Sequence, residues 1–314
     1  MQTDNDPIKF SVLVPTLNAG SQWRVFLENF AKQSVKPHSC IIIDSGSTDE
    51  TVALALEAGF TVKQIDKRDF RHGATRQELV NLSVNCDICV FLTQDAILAA
   101  EDSLEKLIAV FLKDNKVALA YGRQLPHLGA KTLETHARLF NYPPVSEIRT
   151  LKDKERLGFK TIFCSDSFAA YRKEVLNRLG GFPPDTIMGE DTIVAAEMLK
   201  AGYKIAYVAE ATVHHSHTYT LKEEFKRYFD TGVFHTQNSH LKKEFGNADG
   251  EGLRYVLSEM RYVIKNRSFI LPYSMFSVMA KWLGYKLGVK YRWFSHNTVK
   301  NMSMHKSYWS RVHN

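Results

Sequence analysis

Apolar positions in the first 125 residues come as short continuous runs alternating with stretches of helical spacing. The segment "KFSVLVPTLNAG" (9–20) reads as a buried strand that Pro15 stops and that Asn18 and Gly20 open into a loop. "QWRVFLENFAKQS" (22–34) repeats its apolar residues at helical spacing. "CIIIDSGSTDETVALALEAG" (40–59) predicts a β-branched strand, an Asp-Ser-Gly-Ser turn, and a helix that opens near Asp49 and stops at Gly59. The same alternation gives a strand over 60–65, a helix over 73–84, a strand over 87–96, a helix over 103–114 and a strand over 117–125. Strands and helices of this length in alternation predict an α/β fold of βαβ units around a mainly parallel sheet. Such sheets bind ligands at the carboxyl ends of their strands. Asn18, Asp44 and Asp95 all fall at those ends.

The pattern changes after residue 125. Residues 126–160 are polar and irregular, hold "NYPPVSE", and predict a mobile loop region. A strand-like start and a helix ending at Gly180-Gly181 follow over 163–182. A helix, turn and strand cover 189–208, and "HHSHTYT" (214–220) comes next. From about 221 onward the spacing is helical.

Composition narrows the picture. The 314 residues suffice for one large domain and a substantial extension. The first ten residues are polar and acidic and do not read as a signal peptide. No run approaches the roughly 18 apolar residues of a spanning helix. Residues 268–284 come nearest, and Pro272 and Lys281 interrupt them. Four cysteines fit a reducing compartment. Cys86 and Cys89 form a CxxC without a second pair to complete a zinc site, so they read as small packed side chains. The net charge of +7 is uneven: residues 260–314 hold ten Lys/Arg and no acid, which leaves −3 for the rest. A tail of this kind seeks an anionic partner such as a membrane surface, a nucleic acid or a phosphorylated substrate.

Several motifs arrive in one order: "VPTLN", "DSGSTDET", "RHGATR", "TQDA", "GEDT" and the histidine cluster. Over about residues 9–220 this order resembles glycosyltransferase family 2, the nucleotide-sugar transferases of the GT-A fold. The stretches "FRHGATRQ", "FLTQDAI", "SDSFAAYRKEVLNRLGGF" and "VHHSHTYT" are similar to the bacterial dTDP-L-rhamnosyltransferase branch. The resemblance implies a catalytic domain over 1–220. Its nucleotide-sugar half would cover about 9–125 and its acceptor half about 126–220, with a basic helical extension over 221–314.

Each motif also has its own physical reading. A carboxylate at the end of the second strand, Asp44, can accept from a pyrimidine N–H or a ribose hydroxyl. The resemblance implies that role, with Pro15, Thr16, Asn18 and Ser45 in the same pocket. The plain alternative is a turn-forming Asp bonded to its own backbone. "RDFRHGATRQ" offers cations and, at Gly73, a helix start whose N–H groups suit a diphosphate. The resemblance implies Arg76 near the diphosphate and His72 near the nucleotide or sugar. A basic surface helix is the alternative.

"TQDA" stands where the family carries a metal-binding Asp-x-Asp. Thr93 replaces the first acid, Gln94 lies between, and Asp95 remains. Mg²⁺ or Mn²⁺ takes oxygen ligands and keeps waters, so one carboxylate and donor phosphates can suffice. His215 and His217, two apart, share a side if the strand continues and are candidates to complete the shell. Imidazole favours Mn²⁺ over Mg²⁺. His214 should point the other way.

"MGEDT" places Glu190 and Asp191 at a helix start, where the helix dipole alone could favour them. In the family the Asp of this motif is the general base. An inverting transfer needs one carboxylate to take the acceptor proton, and metal and cations to stabilise the leaving diphosphate. The expectation is an inverting transferase moving L-rhamnose from dTDP-β-L-rhamnose to a sugar hydroxyl of a lipid-linked oligosaccharide. It would work at the cytoplasmic face of the bacterial inner membrane, in O-antigen or similar polysaccharide assembly. Alternatives are a UDP-sugar donor on the same fold, or a membrane- or nucleic-acid-binding module acting through the tail. No nucleic-acid partner is expected for the enzyme. The tail mixes Trp282, Tyr285, Tyr291, Trp293 and Phe294 with Lys281, Lys286, Lys290 and Arg292, which suits a membrane interface. The competing reading is a helical element that packs on the catalytic domain or joins a homodimer.

Overall fold

The computed structural model describes residues 8–246 and 250–311. The polar N-terminal segment 1–7 and the last three residues of the tail lie outside the described residues.

Nine strands are found among the described residues: β1 (Phe10–Thr16), β2 (Ser39–Asp44), β3 (Thr61–Gln64), β4 (Ile88–Leu92), β5 (Ile97–Leu98), β6 (Val117–Leu125), β7 (Glu147–Arg149), β8 (Phe168–Arg172) and β9 (Lys204–His214). They form one sheet in the order β3-β2-β1-β4-β8-β6-β9-β5, with β7 also paired to β9. The half from β3 to β4 is parallel, as the alternation predicts. The other half is mixed. β8 runs antiparallel to both β4 and β6, and β5 and β7 run antiparallel to β9. The parallel strands are continuous apolar runs because helices cover both their faces; Val12, Leu13, Val14, Ile42 and Ile43 are all inaccessible to solvent.

The helices Gln22–Ala31, Thr51–Glu57, His72–Leu82 and Ser103–Lys113 follow their strands closely to expectation. Two clusters of buried side chains lie on opposite faces of the sheet's parallel half. Val12, Val14 and Ile42 belong to one, and Leu13, Ile41 and Ile43 to the other, as the two-residue period of a strand requires.

The predicted loop over 126–160 is a correction. It contains the helix Thr132–Asn141, strand β7 and the short helix Lys154–Leu157. The first helix is capped, with the Glu134 carboxylate accepting from the Lys131 backbone N–H at 3.2 Å. Its apolar residues are few and its partner helix, Glu251–Arg267, lies more than a hundred residues away, so local spacing carries little of the signal.

From Leu221 the chain is helical: Leu221–Gln237, Ser239–Phe245, Glu251–Arg267, Leu271–Val289, His296–Met302 and Lys306–Arg311. These helices share the core of the sheet. Phe229, Val233, Leu241, Phe245, Val299 and Trp309 lie in the same cluster as Leu13 and Phe91. Helix Leu271–Val289 crosses Leu221–Gln237 at backbone contact. A Cβ on Gly284 would lie 2.2 Å from the Phe225 carbonyl oxygen, and one on Gly288 would lie 2.0 Å from that of Phe229. Lys281 is a second correction. It does not present its charge at the surface but is buried between Glu224 (3.6 Å) and Glu259 (3.5 Å). No helix among the described residues is long and apolar enough to cross a membrane. All four cysteines are free thiols, with the Cys86 and Cys89 sulfurs 3.9 Å apart.

Candidate active site

The carboxyl ends of β1, β2 and β4 are tied together by side chains from their loops. Asp44 ends β2, and its carboxylate is fully buried. It accepts from the Thr16 hydroxyl (2.9 Å), the Gly46 and Ser47 backbone N–H groups (3.1 and 2.8 Å) and the Ser47 hydroxyl (2.5 Å). Four donors fill a carboxylate's lone pairs. Asp44 thus organises the loop from beneath, in the turn-forming role its position also allowed. Ser45 is likewise buried and donates its hydroxyl to the Thr16 carbonyl at 3.0 Å. Pro15 lies within β1, paired with Ile43. Asn18 sits in the left-handed region at φ 44° and accepts from the Thr48 N–H at 2.8 Å. Gln94 clamps the backbone of Leu17, accepting from its N–H at 2.7 Å and donating to its carbonyl at 3.1 Å. Asn18 is the expected rim residue that remains well exposed there.

The second half of the expected donor site moves further. Arg76 is buried, and its guanidinium is bound to Asp166 at 2.9 Å and Glu190 at 2.6 Å. These partners are acids of its own chain. Gly73 is explained by packing: a Cβ there would lie 1.8 Å from the Pro183 carbonyl oxygen. His72 stacks edge-on against His305 of the C-terminal segment, ring centres 5.0 Å apart, and burial holds its pKa below the usual value. These three positions are locked by residues 90 or more places away, which local sequence does not reveal.

Asp166, missed in the sequence, completes an acid group with Glu190 and Asp191. Tyr171 donates to it at 2.6 Å, and its backbone N–H approaches the Asp191 carboxylate at 3.4 Å. Three carboxylates around one guanidinium cannot all ionise cheaply. Burial, reinforced by Asp191 and Glu190 and opposed by Arg76, pushes Asp166 up to about 8. Burial and the Glu190 charge push Asp191 up to about 6. Glu190 goes down, because Arg76 and then His72 outweigh its burial. Asp191 is the second residue of the helix Glu190–Lys200, accepts from the Thr192 N–H at 2.7 Å, and stays partly exposed.

The third group joins Asp95 with His215 and His217. Their donor atoms lie within 4.8 Å of one another. His215 Nε2 is 3.4 Å and His217 Nε2 3.7 Å from the Asp95 carboxylate. β9 ends at His214, so the two histidines share a side through the loop that follows rather than through strand pleat. His214 points elsewhere, with Nδ1 at 2.8 Å from the Pro126 carbonyl. Burial favours the neutral form of Asp95, but the hydrogen bond and charge of His215, then His217, hold it well below the usual carboxylate range. Burial, and then His215, lowers His217 to about 4, leaving a neutral imidazole free to ligate.

One carboxylate and two imidazoles fit a divalent cation, and the nitrogen pair suits Mn²⁺ better than Mg²⁺. Supporting residues fix the set. His215 Nδ1 lies 2.9 Å from Gln124 Oε1, and Glu134 accepts from the hydroxyls of Ser216 and, at 2.5 Å, Thr218. Gln124, at the end of β6, gave no signal in the sequence because an amide there looks like any polar strand end.

The metal group and the acid group are stitched to one segment. Gln124 donates to Ser165 at 2.9 Å, the Thr93 N–H donates to the Ser167 carbonyl at 3.3 Å, and Asp166 lies between.

The sequence profile described as "Glycosyltransferase like family 2" matches residues 7–229. The O-antigen chain rhamnosyltransferase RfbN of Salmonella typhimurium is 47% identical over 306 residues, covering 97% of each chain. The O-antigen chain rhamnosyltransferase WbaN of Salmonella anatum is 46% identical over 304 residues, covering 96% of each. Among solved structures, the mannosyltransferase PcManGT from Pyrobaculum calidifontis, in complex with GDP-Man and Mn²⁺, superposes with a TM-score of 0.59. It is 16% identical, over 98% of this chain and 86% of that one. The fold is therefore GT-A, with a helical C-terminal region, and a purely binding role for the chain falls away. The chain belongs to glycosyltransferase family 2 and is a glycosyltransferase.

Proposed function

We propose that this enzyme transfers L-rhamnose, with inversion, from dTDP-β-L-rhamnose to a sugar hydroxyl of a lipid-linked oligosaccharide in O-antigen or related polysaccharide assembly. Support for the sugar comes from the two Salmonella rhamnosyltransferases, which match this chain over nearly its whole length. The observation that carries the mechanism is that the raised carboxylate Asp191 accepts from the backbone of segment 165–167, to which Gln124 and Thr93, neighbours of the Asp95–His215–His217 group, are also bonded.

Asp191 takes the proton of the acceptor hydroxyl. The hydroxyl oxygen bonds to the anomeric carbon from the face opposite the leaving group, and the carbon–oxygen bond to the diphosphate breaks with its electron pair passing to dTDP. A base near pH 6 is ionised at neutral pH yet still basic enough to accept the proton. Glu190 with Arg76 holds the start of the helix that carries Asp191. Asp95, His215 and His217 would hold the Mg²⁺ or Mn²⁺, which when bound would neutralise charge on the leaving diphosphate.

Residues 1–220 are read as the catalytic unit and 221–314 as a basic extension that brings it to the cytoplasmic face of the inner membrane. The test is donor consumption with dTDP-β-L-rhamnose, dTDP-glucose and UDP-glucose in the presence of Mn²⁺. Turnover of dTDP-rhamnose alone is expected. Equal or faster consumption of the UDP-sugar would overturn the donor assignment.

A further inference from the structure

A cavity of about 1020 Å³ lies between the helices Thr132–Asn141, Leu221–Gln237, Glu251–Arg267 and Leu271–Val289, beside the metal group. His217 forms part of its wall. Most of its lining surface is apolar, with Phe140, Tyr228, Tyr255, Val278 and Tyr285 among the contributors, and the acids Glu134, Glu224 and Glu251 also reach it. Arg138 and Arg227 also line it, and both lie close enough to His217 to disfavour its protonation. Among the described residues neither pairs with a carboxylate. Arg138 donates to Gln124 and leaves Nε buried without a partner, while Arg227 donates to the Tyr219 hydroxyl at 3.2 Å.

The cavity is open at its other side, because Leu253, Tyr273 and Trp282 line it and are themselves exposed. The apolar surface continues outward. Helix Leu271–Val289 buries Ser274, Ser277, Lys281, Gly284 and Gly288 and exposes Met275, Phe276, Met279 and Leu283. A helix with its apolar face outward and its polar face inward reverses the soluble pattern. Exposed Arg261, Lys265 and Lys286 flank it, and no acid occurs from 260 onward.

We propose that this cavity binds the lipid part of the acceptor: a hydrocarbon chain carrying a phosphate or diphosphate. The chain lies among Phe140, Tyr255, Val278 and Trp282, entering from the apolar surface. The charged head meets Arg138 and Arg227, which places the first sugar beside the metal group. An apolar pocket with a few convergent polar groups is the usual form of such a site. A saccharide alone would leave most of this lining without a match, and a nucleotide would leave the apolar opening unexplained.

The inference rests on the lipid-linked acceptor in the proposed function, but its test uses no donor, so it can fail while the rhamnosyl reading stands. Binding of farnesyl diphosphate to the full chain is followed by tryptophan fluorescence, with farnesol and inorganic pyrophosphate as separate arms. Val278→Trp fills the middle of the cavity and Leu253→Trp narrows its exposed rim; the second remains informative if the first folds poorly. Farnesyl diphosphate should bind more tightly than either arm alone, and each variant should weaken it at least about tenfold. Absence of binding, equal binding of pyrophosphate, or unchanged affinity in a folded variant would overturn the proposal.

Discussion

Gln124 Oε1 lies 2.9 Å from His215 Nδ1, and because an amide oxygen can only accept, the imidazole donates there and presents its Nε2 to the Asp95 side, 3.4 Å from the carboxylate. Partners of this kind typically contribute 10- to 100-fold in metal affinity. Gln124→Leu should therefore weaken Mn²⁺ binding by about that factor. Isothermal titration with Mn²⁺ in the presence of dTDP measures it, and an unchanged affinity would show that the ring is held by other means.

Arg76 is paired with Asp166 and Glu190 of its own chain. Removing one partner from a buried ion group costs about 3–5 kcal/mol. Arg76→Met should lower the unfolding free energy by that order in urea titration, and Arg76→Met with Glu190→Gln should recover part of it. A stable Arg76→Met protein with only a raised donor KM would restore the diphosphate contact expected from the sequence.

The acid group sets a pH dependence. Asp166 and Asp191 have folded pKa values of about 8 and about 6, raised from an ordinary 3.8. The unfolded chain loses these protons first. Their contribution to stability is thus full below pH 3.8 and is lost as pH rises through 6 and 8. Asp166→Asn should flatten the fall in Tm over that range. In the opposite sense, kcat/KM should rise with an acid limb near 6, since the base must be ionised. Glu190→Gln should move that limb to lower pH by removing the charge that raises Asp191. An unmoved limb would assign it to another group.

Gly288 allows helix Leu271–Val289 to rest on the backbone of Phe229. Gly288→Val forces side-chain atoms into a carbonyl and should destabilise the protein by about 1–3 kcal/mol, the usual cost of overpacking. Thermal unfolding reads the effect, and an unchanged Tm would mean that the helix can shift outward.

The sequence carried the parallel half of the sheet well, because strands buried on both faces are continuous apolar runs bounded by Gly, Pro and Asp. It also carried Asp95, His215 and His217, although a loop rather than a strand brings the histidines together. What it could not carry was long-range pairing. "RHGATR" has the composition of an anion site, yet Arg76 and Gly73 are fixed by Asp166 and Pro183 about a hundred residues away. Asp44 shows the same limit at short range, since an acid that binds its own turn and one that binds a ligand read alike. Lys281 looked like a surface cation because its partners Glu224 and Glu259 lie on two other helices.

The central claim is that Asp191 takes the acceptor proton in an inverting transfer. It is tested most directly by comparing Asp191→Asn with the unaltered enzyme, measuring both rhamnosyl transfer and dTDP-rhamnose affinity. The account predicts a loss of transfer of about 10²–10⁴-fold with donor affinity kept. Near-normal transfer by Asp191→Asn would contradict it.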